Sequence, residues 1–142
     1  MAVFQRRTAS GRPARNVRNP VILIVEDEDM IRAVAVAIFR SADFEVLEAG
    51  SGMAALMILQ HRVDVDAAFL DVVMPSVPDG FTLARFIEAT TPACAILLTS
   101  GTACPMASTL STRTRFIGKP YDARQVVALV NDMIRSATLL SN

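Results

Sequence analysis

VILIVEDED, residues 21–29, sets five apolar residues directly against four acids. The apolar part reads as a first strand, Val21 to Val25, and the acids Glu26, Asp27 and Glu28 mark its carboxyl end. Beyond them Ile31, Val34, Ala35 and Ile38 recur at i, i+3, i+4 and i+7, one apolar helix face. The same alternation of a short apolar run with a longer amphipathic stretch repeats five times. Phe44 to Leu47 is a second strand, and Ser51 can cap a helix running to about His61. Ala67 to Leu70 is a third strand, followed by a helix with Leu83, Phe86 and Ile87 inward that Pro92 stops. Ala95 to Leu98, apolar throughout, predicts a central strand covered on both faces. A short fifth strand holds Phe116 and Ile117, and the last helix carries Ala123, Val126, Val127, Val130 and Ile134 on one stripe. Such β-α repetition predicts an α/β fold, doubly wound, with a five-stranded parallel sheet and helices on both faces. Residues 101–115, rich in Ser and Thr, predict a short or irregular fourth helix anchored only by Met106 and Leu110.

At 142 residues the chain has room for one domain. Apolar residues make up 52% of it, enough for one core. Acids and bases balance at 14 each, but unevenly. Residues 1–19 hold five arginines and no acid, and predict a disordered tail, with the folded domain spanning 20–142. The acidic body argues against direct nucleic-acid binding, and no apolar run is long enough for a membrane span, so a cytoplasmic protein is expected. Cys94 and Cys104 fit neither a redox pair nor a zinc spacing. Seven scattered methionines read as core filler, with Met74 near the site.

Polar residues interrupt the apolar runs at the strand ends: Glu26 and Asp27, Asp71, Thr99, and Lys119 followed by Pro120. In a parallel open sheet these carboxyl ends share one edge, where ligands bind. Three carboxylates brought together repel unless a cation intervenes, and Mg2+, with its preference for one or two carboxylates plus oxygens of a phosphorylated partner, suits them. Asp71 could then act as nucleophile in an in-line phosphoryl transfer, with Lys119, the chain's only lysine, and the Thr99 hydroxyl stabilising the phosphoryl oxygens. Taken singly, the acids fit a solvated helix N-terminus and Asp71 or Thr99 a turn. Their convergence on one edge favours a site.

The motifs LIVEDED at 23–29, FLDVVMPSVPDG at 69–80, LLTSG at 97–101 and FIGKPYD at 116–122 resemble, in order and spacing, those of response-regulator receiver domains, over residues 20 to about 138. The resemblance implies a flavodoxin-like sheet of order 2-1-3-4-5. It implies Glu26 and Asp27 as the acidic pair, Asp71 as phosphoacceptor and metal ligand, and the Val73 backbone carbonyl as a further metal ligand. Thr99 would be the switch hydroxyl, Phe116 the switch aromatic, Lys119 the phosphate-contacting lysine, and the bond before Pro120 cis. The implied function is that of a single-domain response regulator in a two-component phosphorelay, catalysing only its own phosphorylation and dephosphorylation. The implied donor is a sensor histidine kinase or a histidine phosphotransfer protein. Output would run through a protein partner, through drainage of phosphate from a shared kinase, or through a homodimer formed by the fourth helix, fifth strand and last helix. Three departures from the family pattern stand out: a loop one residue longer between Pro75 and Gly80, a Thr99–Lys119 spacing about two residues shorter, and Phe116 where Tyr is frequent.

Two other readings compete. A Mg2+-dependent phosphatase or phosphotransferase of haloacid-dehalogenase type uses a similar residue set, but places two aspartates, separated by one residue, after its first strand. A receiver-like docking module that is never phosphorylated would not need the full acid, hydroxyl and lysine set. A nucleotide-binding Rossmann half is discarded, since no G-x-G-x-x-G follows the first strand.

Overall fold

The computed structural model describes residues 18–102 and 111–140. Five strands, β1 (Val21–Val25), β2 (Glu45–Ala49), β3 (Ala67–Asp71), β4 (Ala95–Ser100) and β5 (Thr114–Gly118), form one parallel sheet in the order β2-β1-β3-β4-β5. Between them run α1 (Asp29–Ser41), α2 (Gly52–His61) and α3 (Gly80–Thr90), and α4 (Ala123–Leu140) follows β5. This is the expected doubly wound architecture and sheet order. Most of the Arg-rich tail, and the part of the β4–β5 crossover expected to hold a short fourth helix, lie outside the described residues. Cys104 lies there too.

Local chemistry fixes the helix starts. Ser51 Oγ accepts the Ala54 N–H at 3.1 Å, Asp79 Oδ1 the Thr82 N–H at 2.9 Å, and Asp122 Oδ1 the Gln125 N–H at 3.0 Å, so α2, α3 and α4 each open on a side-chain cap. Glu28 gives α1 no such cap. At the other end of α3 the Arg113 guanidinium donates to the carbonyls of Glu88 (2.9 Å), Thr91 (3.1 Å) and Pro92, covering acceptors that a helix terminus leaves free.

Alternate residues of each strand feed two cores. Leu23, Leu70, Ile96 and Leu98 pack with Leu83 and Ile87 under α2 and α3. Ile22, Ile24, Phe69 and Leu97 pack with Phe39, Val126 and Val130 under α1 and α4. Phe39 meets Phe44 and Phe69 edge-on, with ring centroids 5.1 and 5.9 Å apart.

Several expected inner faces are rotated. On α1 the buried residues are Ala35, Val36 and Phe39, and Val34 is 59% exposed, because burying the large Phe39 ring turns the helix away from the predicted stripe. On α3, Ala84 lies inside and Phe86 does not, the smaller side chain allowing close approach to the sheet. Ala123 is exposed at the start of α4. The middle strand is β3, with β4 interior beside it. Met74 and Met133 fill the core, whereas Met30, Met53 and Met57 face solvent.

The lengthened loop after β3 packs onto the molecule. Pro78 is buried, and a Cβ on Gly52, at the first turn of α2, would come 2.1 Å from the Pro78 carbonyl oxygen. At the start of α3 a Cβ on Gly80 would come 2.4 Å from the Asp71 carbonyl oxygen. Neither obstacle is a flexible side-chain tip. Gly52→Ala and Gly80→Ala should each lower the unfolding free energy by about 1–3 kcal/mol in urea titrations. Gly101→Ala, with nothing within 4 Å of the added carbon, should change it by about 0.5 kcal/mol or less.

Candidate functional site

Strand parity gathers the predicted residues. Ile24, Phe69 and Leu97 face α1 and α4. Two residues further along each strand Glu26, Asp71 and Thr99 point the same way at the carboxyl edge. Parallel pairing carries them to one height, since Asp71 is the register partner of Thr99 and Thr99 that of Ile117, two residues before Lys119. Backbone bonds extend the ladder past the strand ends: Glu26 N–H donates to the Ala49 carbonyl at 3.1 Å, and Lys119 N–H to the Ser100 carbonyl at 2.9 Å. Glu26, Asp71 and Thr99 line one small cavity with Ile24, Phe69 and Tyr121.

Carboxylate oxygens of Glu26, Asp27 and Asp71 lie within 4.8 Å of one another. Glu26 and Asp71 are only 4% and 5% exposed, and Asp27 is half-buried at the mouth. Lys119 Nζ donates to Glu26 Oε2 at 2.9 Å and to Asp71 Oδ2 at 3.4 Å. Glu26 Oε1 accepts the Glu28 N–H at 3.2 Å, and Asp71 Oδ1 accepts the Val73 N–H at 3.1 Å. One ammonium against three carboxylates leaves a surplus of negative charge.

That surplus appears in the proton affinities. Burial raises the Glu26 carboxyl above the ordinary carboxylate range and the charge of Asp71 adds to this, against the Lys119 hydrogen bond that lowers it. Burial alone would lower the Lys119 ammonium, but its bond to Glu26 and the charges of Asp71 and Glu26 outweigh burial and raise it. Both groups hold their protons more tightly, as an over-acidic pocket requires. A donor set of three carboxylate oxygens suits a hard divalent cation. The buried Thr99 Oγ1 has no hydrogen-bond partner among the described residues, although a buried hydroxyl ordinarily finds one. An oxygen-rich group bound beside Asp71 would supply it.

Val73 is exposed at the rim next to Asp71. Phe116 is not gathered with the others: it pairs with Leu98 and packs in the core under α2 and α3, on the sheet face away from Thr99. The Lys119–Pro120 bond is cis, as the resemblance implies, and so is Val77–Pro78 in the longer loop. Two residues of the site were not singled out from sequence. Tyr121 covers the pocket floor, its ring 5.3 Å from that of Phe69, and burial raises its phenol pKa. Arg32 holds the Glu26 carbonyl at 2.9 Å. Only the acids three and six residues before it hinted at Arg32.

Known proteins resemble this chain in sequence and in fold. A Brucella abortus protein, sensor kinase CckA, is 36% identical over 117 residues, which cover 80% of this chain and 12% of that protein. A probable transcriptional regulatory protein of a Picosynechococcus species is 29% identical over 123 residues, covering 49% of its length. The chain thus spans half or less of these curated relatives. The crystal structure of the receiver domain from hybrid histidine kinase CckA superposes with a TM-score of 0.69 at 32% identity, over 80% of this chain and 98% of that one. A response regulator receiver protein from Sinorhizobium medicae WSM419 gives 0.78 at 24% identity, over 84% and 97%, a likeness of fold. The response regulator receiver domain family itself matches residues 22–131, from the second residue of β1 into α4. Since that span reaches all five strands and the whole acidic edge, the chain belongs to the response regulator receiver domain family.

Proposed function

We propose that this chain receives a phosphoryl group on Asp71 from a histidine kinase or a histidine phosphotransfer protein and changes its protein contacts as a result. The observation that carries the reading is a buried carboxylate, Asp71, sharing its pocket with a lysine, two further acids and an unpartnered hydroxyl. One carboxylate oxygen of Asp71 would attack phosphorus as the bond from phosphorus to the donor imidazole breaks. The electron pair leaves on the imidazole nitrogen, and an acyl phosphate results. Lys119 Nζ already sits against Asp71 and would turn to a phosphoryl oxygen. Thr99 Oγ1 would donate to another, gaining the partner it lacks.

The acids fit Mg2+, which Asp27, Asp71, Glu26 and the Val73 carbonyl would hold and which, when bound, neutralises charge on the phosphoryl oxygens. Family membership removes the case for a haloacid-dehalogenase-type phosphatase. The proposal places the chain in the cytoplasm with its donor, and among the described residues no helix is long and apolar enough to cross a membrane. The phosphorylated form would act through a protein partner or a second copy, on the face built from the β4–β5 crossover, β5 and α4.

Full chain incubated with Mg2+ and acetyl phosphate should take up one hydroxylamine-labile phosphoryl group, visible as a mass increase. Asp71→Asn and chelation of Mg2+ should each abolish it. Label retained by Asp71→Asn would overturn the assignment.

The acidity of the pocket yields a second expectation. Because burial raises the Glu26 pKa, the folded chain holds that proton more tightly than the unfolded chain does. This favours the fold below the ordinary carboxylate value and is lost as pH rises through the raised value. Above that raised value the ionised group therefore strains the metal-free fold. Glu26→Gln should raise the thermal midpoint without Mg2+ by a few degrees on the alkaline side of that value, the gain fading as pH falls through it, and should weaken Mg2+ binding. A lowered midpoint would refute the electrostatic account.

A further inference from the structure

The turn that carries the acidic pair is the least conventionally anchored helix start in the fold. Ser51, Asp79 and Asp122 cap α2, α3 and α4 with side-chain oxygens, but Glu28 makes no side-chain cap for α1. Arg32, one turn into α1, reaches back over this turn instead. Its Nη1 donates to the Glu26 carbonyl at 2.9 Å, its Nη2 to Asp29 Oδ1 at 2.8 Å, and its Nε to Glu48 Oε1 of β2 at 3.2 Å. The side chain is 18% exposed, far less than the Asp29 and Glu48 carboxylates it binds. Gly50 leaves it room, for a Cβ there would stand 3.1 Å from Nη1. A guanidinium fork is suited to serve three acceptors in different directions, which the single point charge of lysine is not.

Resting on the phosphoryl-acceptor reading above, we infer that Arg32 is a positioning residue: by holding the Glu26 carbonyl between α1 and β2, it sets the path of residues 26–28 and so presents the Glu26 and Asp27 carboxylates to the cation. It touches neither cation nor phosphoryl group. Charge and position predict opposite results here, which makes the role testable. Deleting a cation close to an acidic pocket should, by Coulomb attraction alone, tighten Mg2+ binding. Loss of positioning should weaken it.

The experiment is calorimetric titration of MgCl2 into the full chain as wild type, Arg32→Ala and Arg32→Lys, each shown by circular dichroism to be folded at the titration temperature. We expect Arg32→Ala to bind Mg2+ about tenfold or more weakly. Arg32→Lys, which keeps the charge and loses the fork, should also fall below wild type and provides the test if the alanine variant does not fold. Equal or tighter binding by the variants, with wild type binding Mg2+ normally, would overturn the positioning role alone. A wild type that takes up neither Mg2+ nor a phosphoryl group would instead overturn the reading of the site on which it rests.

Discussion

Glu26, Asp27 and Asp71 bring three carboxylates within 4.8 Å of one another, with Lys119 as the one cation bonded to them among the described residues. Water would screen such a cluster on an open surface, but Glu26 and Asp71 are nearly closed off from it. Repulsion of this kind persists only where a rigid surround prevents the groups from separating. Here the surround is the sheet itself. Asp71 ends the middle strand and Glu26 follows the neighbouring one, so neither backbone can withdraw without breaking ladder hydrogen bonds that anchor both cores. The fold thus pre-assembles a surplus of negative charge that a bound divalent cation would bring into balance.

The same logic explains where stability is spent and where it is recovered. The apolar strand interiors and the edge-on contacts of Phe39 with Phe44 and Phe69 supply apolar burial under α1 that offsets the repulsion among the acids. Caps at α2, α3 and α4 and the Arg113 contacts at the end of α3 hold the helices that flank the sheet. A pocket that repels itself can be tolerated in a domain whose remaining elements are locally consistent.

Much of this was legible in the sequence because two signals coincide at each strand end. An apolar run gives the strand, and the polar residue that stops it gives the edge, so Glu26, Asp71, Thr99 and Lys119 could be grouped without coordinates. Ser51 announced α2 by its capping chemistry. Other features depend on three-dimensional fit. Val34 and Phe39 are both apolar and both periodic on α1, and only the space beside Phe44 and Phe69 decides that Phe39 goes inside. The Gly52–Pro78 approach joins residues far apart in the chain, and Gly52 reads from sequence only as a helix start. Arg32 looks like one more surface arginine until its bond to a backbone carbonyl is seen. Backbone acceptors leave no mark in a sequence.

Parity also separates the chemistry from the expected readout. Asp71 and Thr99 point toward α1 and α4, whereas Phe116, three residues before Lys119, packs on the other face with Leu98. A side chain on one face of a sheet does not touch one on the other. Any coupling between the pocket and Phe116 must therefore pass through β4 and β5 as bodies: the hydrogen bond from Lys119 N–H to the Ser100 carbonyl ties the end of β5 to the end of β4. Recruiting Thr99 and Lys119 to a phosphoryl group would pull on both strand ends at once. A shift of the strand pair favoured by a bound group would then alter the opposite surface without direct contact. The absence of a hydroxyl on Phe116 fits such a route, since coupling through the strands asks for packing at that position and not for a hydrogen bond.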